Sequence, residues 1–352
     1  MVQKYPKATL AFALFPALVL SLWAYANPAA AAESAAEFYA DKTVTIIVNH
    51  GPGGGGDYAA RVYAAWWSDV SGGGAMRVKN VTGGGGQVGI NQVYAAKPDG
   101  LTIGTAAWSA DLATSHLFKE KGRRYDISKF NWIGTFAMEG SGVGISSKLP
   151  SSNMAELQKV EGLKFGAHTR GSNWSLNAAL IADIFGLKDA RIVVGFASTP
   201  DVQLSISRGE LSGQISEMSV LKAAIDKGWM KKPLAALGHK RSELFPDTPA
   251  VSELVKLTPE QDKLLTTMET ISGGKIFFAP PGTPPDRVEF LRKAFDKMMG
   301  LKPFIRQAKL RFEVWTPPLN SAETEKMVKD LSSVPEADVA KLIKLVDQRL
   351  RK

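Results

Sequence analysis

Val44-Thr45-Ile46-Ile47-Val48, followed by Gly51-Pro52-Gly53-Gly54-Gly55-Gly56-Asp57 and a helical pattern from Tyr58, is the stretch that decides the fold. It reads as strand, glycine loop, helix. A second copy of that order follows at once: Met76-Arg77-Val78-Lys79-Asn80-Val81, then Thr82-Gly83-Gly84-Gly85-Gly86-Gln87 and another helical pattern. In such a loop several backbone N–H groups can point into one cavity. The helix dipole adds partial positive charge there, so the loop suits an anion. Two such loops in neighbouring units suggest a pocket that grips a carboxylate or phosphate through backbone alone.

Working outward, strand 44–48, helix 58–70 capped by Asp57, strand 76–81, helix 88–96, the turn Lys97-Pro98-Asp99-Gly100 and strand 101–105 form a βαβαβ unit. Short connections of this kind imply a parallel sheet with right-handed crossovers. A second alternation spans strand 163–167, loop 168–173, helix 174–185, strand 191–194, helix 200–207 and strand 211–216. Between the two, Trp132 to Ser146 is β-like and punctuated by glycine, suited to a passage between lobes. A return passage is expected at Lys275-Ile276-Phe277-Phe278-Ala279, ahead of the rigid Pro280-Pro281-Gly282-Thr283-Pro284-Pro285 turn and a helix from Val288 to Met299. Two α/β lobes joined by two crossings describe a hinged clamp. The reading allots 40–140 and 276–352 to lobe 1 and 141–275 to lobe 2.

Residues 1–32 read as a cleaved secretory signal: Lys4 and Lys7, an apolar stretch from Ala8 to Tyr25, and Ala30-Ala31-Ala32 before Glu33. The alternative is a retained membrane anchor. Without that segment the net charge falls from +9 to +7, since it carries two lysines and no acid. The positive charge is scattered rather than blocked, which argues against a nucleic-acid partner. The absence of cysteine excludes disulfides, thiol catalysis and thiolate metal sites.

Six blocks, in order and at matching spacing over most of residues 40–320, resemble the periplasmic solute-binding proteins of tripartite tricarboxylate transporters, the Bug-type receptors. The first is Val48 to Arg61, where the glycine run closes on Asp57 and, four residues on, Arg61; Asn49-His50 replaces the family's Pro-Phe. Asn80 to Leu101 resembles the second, with Asn80, Gly83, Gly85, Gly86, Gly89 and Pro98-Asp99-Gly100 in place. Gly166 to Ser172, Arg208-Gly209-Glu210, Arg241 to Glu253 through Phe245-Pro246-Asp247-Thr248-Pro249, and Ala279 to Pro284 resemble the rest. The resemblance implies a type II periplasmic binding protein fold: two doubly wound α/β lobes, joined by crossover strands around a ligand cleft. It also implies one small carboxylated ligand held by the two glycine loops, largely through backbone N–H groups and water. Integral membrane subunits of the transporter would be the partner. In the second lobe His168 and Arg170 bring basic side chains, and Ala167 and Thr169 replace the family's Ser and Gly.

The candidate ligand-binding set is therefore Gly53, Gly54, Gly55, Tyr58, Gly85, Gly86, Gln87, Trp108, Ser109, His168, Arg170, Ser172, Asn173, Phe196 and Glu217. Arg170 is favoured over His168, because a guanidinium matches a carboxylate with two prongs. Tyr58, Trp108, Trp174 and Phe196 stand where strands end and helices begin, so they can line the cleft as well as fill the core. Glu217 would repel a carboxylate and suits a hydroxyl, a water or a neighbouring arginine. His50 reads equally as an interior histidine. His116 and His239 lack an acidic partner at ligand spacing, so no metal and no cofactor are expected.

A dinucleotide site is disfavoured because the second strand ends in Asn80 rather than an acid. No serine stands in a G-x-S-x-G elbow and no acid pair is apparent, which argues against a hydrolase. The expectation is a monomeric, non-enzymatic periplasmic receptor for a dicarboxylate whose middle is apolar, aromatic ahead of a longer aliphatic chain, delivered to a membrane transporter. A receptor feeding a signalling kinase is the alternative.

Overall fold

A computed structural model of the chain describes residues 1–3, 34–106, 109–119, 122–271, 274–313 and 315–350. The expected signal segment lies outside the described residues apart from its first three, and so does Trp108. No helix among the described residues is long and apolar enough to cross a membrane.

Among the described residues, nine strands form two sheets. The first runs in the order β2 (Ala75–Asn80), β1 (Thr43–Val48), β3 (Thr102–Ala106), β9 (Lys275–Ala279), β4 (Asn131–Phe136). Its β2, β1 and β3 are parallel, whereas β9 is antiparallel to both β3 and β4. The second runs β5 (Ser141–Ile145), β8 (Gly213–Glu217), β6 (Lys164–Gly166), β7 (Arg191–Val193), with only β5 antiparallel to its neighbour. The chain passes from β4 to β5 through residues 137–140 and returns into β9. The two passages thus lie side by side as the β4/β9 pair.

β1 is apolar because both its faces are covered. Val44, Ile46 and Val48 pack with Tyr63, Trp67, Phe277 and Phe295, while Ile47 joins Ile90, Trp132 and Phe278 on the other side. The helix after the first glycine loop begins earlier than its apolar pattern, at Gly55, and ends at Ala65 rather than 70. The break at Trp66 lets Trp67 drop between Tyr39, Tyr63 and Phe290, where it is fully buried.

The second sheet is organised around the helix Asn173–Ile184, buried almost all round. A helix without a polar face needs neighbours on every side, and one of them is the last helix, Glu336–Leu350. Leu342 and Val346 of that helix enter the same core as Leu180 and Ile181, and Arg349 donates to the carbonyls of Leu187 and Lys188. The chain's end therefore lies with the second sheet, not with the first, where the sequence reading put all of 276–352.

Gly83, Gly84, Gly85 and Gly86 all have positive φ. At Gly86 (φ +89) an added Cβ would also stand 2.5 Å from Asn49 Nδ2, whereas at Gly84 (φ +55) the nearest atom is 3.6 Å away. Gly84→Ala should lower stability by about 1 kcal/mol, the left-handed backbone alone. Gly86→Ala should cost about 2 kcal/mol or more, because strain and collision add. Denaturant midpoints of the two variants check this; equal losses would show that the loop does not press on Asn49.

Candidate ligand cleft

The first glycine loop is braced from within the helix that follows it. Gly54, not Asp57, is the cap residue, and its lack of a side chain leaves the cap without a side-chain hydrogen bond. Asp57 stands one turn further in. Its Oδ2 accepts from Gly53 N–H and Arg61 Nε, each at 3.0 Å, and its Oδ1 accepts from Asn80 Nδ2 at 2.9 Å. Asn80 Nδ2 also donates to the His50 carbonyl at 2.9 Å. Burial raises the Asp57 carboxyl, but hydrogen bonds from Arg61, Gly53 and Asn80 together hold it below its ordinary value. The acid expected as a helix cap is thus a clamp that fixes the loop to the end of β2.

The second loop makes one 3-10 turn, Gly84–Gly86, before the helix Gln87–Tyr94. Gln87 is buried and donates through Nε2 to Ser115 Oγ, which ties it to the helix Ser109–Leu117.

From the second lobe, residues 168–173 divide into two groups. His168 is buried: Nδ1 lies 3.1 Å from the Phe196 carbonyl, and its ring is 4.5 Å from that of Trp174 and 5.2 Å from that of His50. Ser172 caps the helix Asn173–Ile184, accepting from Ser175 N–H and donating to the Thr169 carbonyl. Arg170 goes elsewhere. Its Nε and a terminal nitrogen reach both oxygens of Asp347 on the last helix, at 2.6 and 2.8 Å, and the pair is partly exposed. Within this loop His168 thus faces the other lobe, while Arg170 pairs with the last helix.

The lobes touch along these loops. Gly51 N–H donates to the Ala197 carbonyl at 3.4 Å. A Cβ on Gly53 would lie 3.2 Å from Pro200 Cγ, and one on Gly85 would lie 2.6 Å from Thr169 Cγ2. Gly53, Gly54 and Gly85 are therefore where the clamp meets itself.

Behind that contact is a buried polar cluster that only partly coincides with the expected set. Glu217, at the end of β8, accepts from Asn173 Nδ2 at 2.9 Å and Trp174 Nε1 at 3.0 Å. Lys275, fully buried at the head of β9, stands 3.6 Å from Glu139 Oε1. Glu139 lies in the 137–140 passage and accepts from the backbone and hydroxyl of Ser219 at 2.9 and 2.8 Å. Arg311 donates to the Ser219 carbonyl at 3.4 Å. Burial pushes the Glu217 carboxyl up to about 7, with Lys275 opposing and Glu139 reinforcing the shift. Burial draws Lys275 and Arg311 down, opposed by Glu139 and Glu217. Lys275, Glu139 and Arg311 were not singled out from sequence. The available signal was a lysine heading an otherwise apolar strand.

Of the aromatic candidates, Trp174 is fully buried in the second core, and Phe196 packs on that core from a half-buried position. Tyr58 donates its hydroxyl to the Gln307 carbonyl and meets Phe312 edge-on. A concavity of about 360 Å³ lies along the passage, lined by residues including Met138, Glu139, Leu237, Arg241, Leu244 and Phe312. Among the described residues, none of the expected ligand residues lines it. It adjoins the buried cluster through Glu139 and Phe312. His239, expected to lack acidic partners, has two: Asp262 at 2.9 Å and Glu269 at 2.8 Å, on one helix distant in sequence. Its hydrogen bonds to the Asp262 carboxylate first and then to that of Glu269 hold the imidazole above the ordinary value.

Two lobes, each with a mixed sheet, joined at paired passages and meeting over buried polar groups define the two-lobed periplasmic binding fold. The sequence matches the tripartite tricarboxylate transporter family receptors over residues 68–343, and the chain belongs to that family. Solved structures agree on the fold. MatC from Rhodopseudomonas palustris, with malate bound, is 18% identical with a TM-score of 0.69, over 87% of this chain and 99% of its own. An R. palustris protein with adipate is 20% identical with a TM-score of 0.68, over 87% and 97%. The periplasmic binding protein BugD is 19% identical with a TM-score of 0.69, over 88% and 98%. No curated protein matches the chain.

Arg170→Ala and Asp347→Ala should each lower stability modestly, with a coupling of about 0.2–1 kcal/mol for so exposed a pair. Ligand affinity should be unchanged in both. A double-mutant cycle read by melting alongside ligand titration checks this, and a selective loss of affinity in Arg170→Ala would return that residue to the cleft.

Glu217 supplies a pH test. Its folded value of about 7 exceeds the ordinary 4.5, so the native state binds the extra proton between these values. Stability contributed by the protonated form is complete below about pH 4.5, declines up to about pH 7 and is flat above, amounting at most to about 3 kcal/mol. Glu217→Gln, facing the same Lys275, Glu139 and Arg311, should lack that decline. Melting of both proteins from pH 4.5 to 8 should show the variant gaining on the wild type as pH rises; parallel curves would show that Glu217 titrates normally.

Proposed function

We propose that this chain is an extracytoplasmic receptor that closes over one small dicarboxylate and delivers it to the membrane subunits of a tripartite tricarboxylate transporter. The observation that carries the reading is the convergence of a glycine-opened helix terminus, a buried lysine and an arginine between two lobes that touch each other. Such a site recognises an anion and excludes water from it. Malate and adipate in the related structures are consistent with that chemistry. Met138, Leu237, Leu244 and Phe312 beside the cluster favour a diacid whose middle is apolar, a longer aliphatic chain or a flat aromatic one. Trp174, expected as a wall for an aromatic ring, is committed to the core and to Glu217. Residues 1–32 would direct export to the periplasm, and binding involves no catalytic step.

A thermal-shift screen over mono-, di- and tricarboxylates and aromatic acids tests this. A true ligand at a hundredfold excess over its dissociation constant should add about 2.7 kcal/mol of stability. Small-angle scattering should show compaction on adding the same acid, as hinge closure requires. Stabilisation by sugars or cationic amino acids, and by no acid, would overturn the reading. Loss of uptake in a deletion strain, rather than loss of a transcriptional response, would separate carrier from sensor.

A further inference from the structure

One side chain of the second lobe is held through both nitrogens of its ring. His239 Nδ1 lies 2.8 Å from Glu269 Oε2, and its Nε2 lies 2.9 Å from Asp262 Oδ1. The backbone N–H of His239 also donates to Glu269 Oε1 at 2.8 Å. Gly238 leaves room for this: its φ is +135, and a Cβ there would collide with the Glu269 carboxylate. Asp262 and Glu269, seven residues apart and so on one face, belong to the helix Pro259–Ile271, which ends just ahead of the return passage at β9.

The protons in this cluster can be counted. A carboxylate only accepts, whereas a neutral imidazole carries one N–H and one lone pair. Short contacts from both ring nitrogens to carboxylate oxygens therefore require both to donate, and the ring is an imidazolium. A carboxyl gives up its proton well before an imidazolium does, so the charged triad is the state of acidic solution. When the ring loses a proton, a lone pair faces a carboxylate oxygen and one contact must open. Glu269 keeps the backbone N–H of His239, whereas the Asp262 carboxylate has no other partner among the described residues. The Asp262 contact is the one that yields. The charges around the cluster do not replace it. Arg241 is taken by Glu253 at 2.9 Å and by the Pro246 carbonyl, and Lys263 and Glu260 pair with Asp338 and Lys341 of the last helix. Lys240 and Glu243 are exposed and line the neighbouring concavity.

His239 lies in the segment that walls the concavity of about 360 Å³ along the passage. Leu237, Lys240, Arg241 and Leu244 line it from this segment, Met138 and Glu139 line it from the passage itself, and Glu269 lines it as well. The segment starts bonded to β5, where Leu237 N–H donates to the Ser141 carbonyl at 2.8 Å. Beyond that point, among the described residues, His239 supplies its hydrogen bonds to the helix Pro259–Ile271. We propose that His239 is a proton-operated latch. Its imidazolium fastens the wall of this concavity to the helix that leads into β9, and loss of one proton releases Asp262 and loosens the wall. The concavity beside the passage is therefore held more tightly in acid than in base, whether or not the cleft between the lobes is filled.

Hydrogen exchange read by mass spectrometry on the full soluble protein, with no acid added as ligand, tests the latch. Protection factors of peptides covering 238–245 should fall by about tenfold from about pH 5.5 to about pH 8.5, the scale of one hydrogen bond to a charged group. Peptides from the helix Asn173–Ile184 should hold constant. An NMR titration of the histidine rings should place the proton loss of His239 above the ordinary imidazole value and in step with that fall. His239→Gln cannot titrate and should show no such pH dependence. Asp262→Asn offers an amide N–H to the lone pair of the neutral ring, so both contacts survive deprotonation and the segment should stay protected at both pH values. A general loosening of the protein in base would not be cured by that variant. Wild-type protection that stays level while His239 titrates, or an Asp262→Asn variant that loosens as the wild type does, would overturn the latch.

Discussion

Glu139 and Lys275 stand on the two segments by which the chain passes between its sheets, and their ion pair ties those segments together in the interior. Much of the site depends on that tie. Glu139 reaches from it to Ser219, at the start of the helix that follows β8, and so fixes Glu217 two residues earlier. Glu217 in turn orders Asn173 and Trp174, the opening of the helix around which the second lobe is packed. Lys275 reaches the other way, to Gly55 and the helix after the first glycine loop. One pair of charges therefore connects both passages and both lobes. Low local polarity makes such a network strong when complete and expensive when a member is missing.

The first lobe was largely legible in sequence because its signals are local. β1, β2 and β3 follow apolar runs bounded by glycine or by the Pro98-Asp99-Gly100 turn, and they fall within a residue or two of the positions read. The start of the helix after the first glycine loop was misplaced because glycine has low helix propensity. It is overridden here by the reach of Asp57 back to Gly53, which draws Gly55 and Gly56 into the helix. The stretch 132–146 read as one β-like passage. It is two strands in different sheets, separated at residues 137–140, where Ala137 adopts a left-handed φ of +54.

The cleft was legible only where its chemistry is carried by backbone. Glycine loops announce themselves by composition, and two of them do meet the opposing lobe. The fate of a charged side chain depends instead on partners remote in sequence. Arg170 is claimed by Asp347, His239 by Asp262 and Glu269, and Lys275 by Glu139. In each case the partner arrives through tertiary packing, to which no spacing rule applies. That is why the pairing of Arg170 with Asp347 was not foreseen, and why the buried lysine passed unnoticed.

The closed contact between lobes bears on how binding energy would be used. The loops meet through one long backbone hydrogen bond, a pair of imidazole rings and close approaches at glycines. Ala137 adds a strained backbone at the point where one passage leaves β4, of the order of 1 kcal/mol for a non-glycine residue. A ligand that bridges the lobes can shift the balance with only a few kcal/mol of differential affinity. A buried cation at the hinge suits that purpose, because its interaction with an anion strengthens as closure removes water from around it. Affinity and closure would then draw on the same electrostatic term.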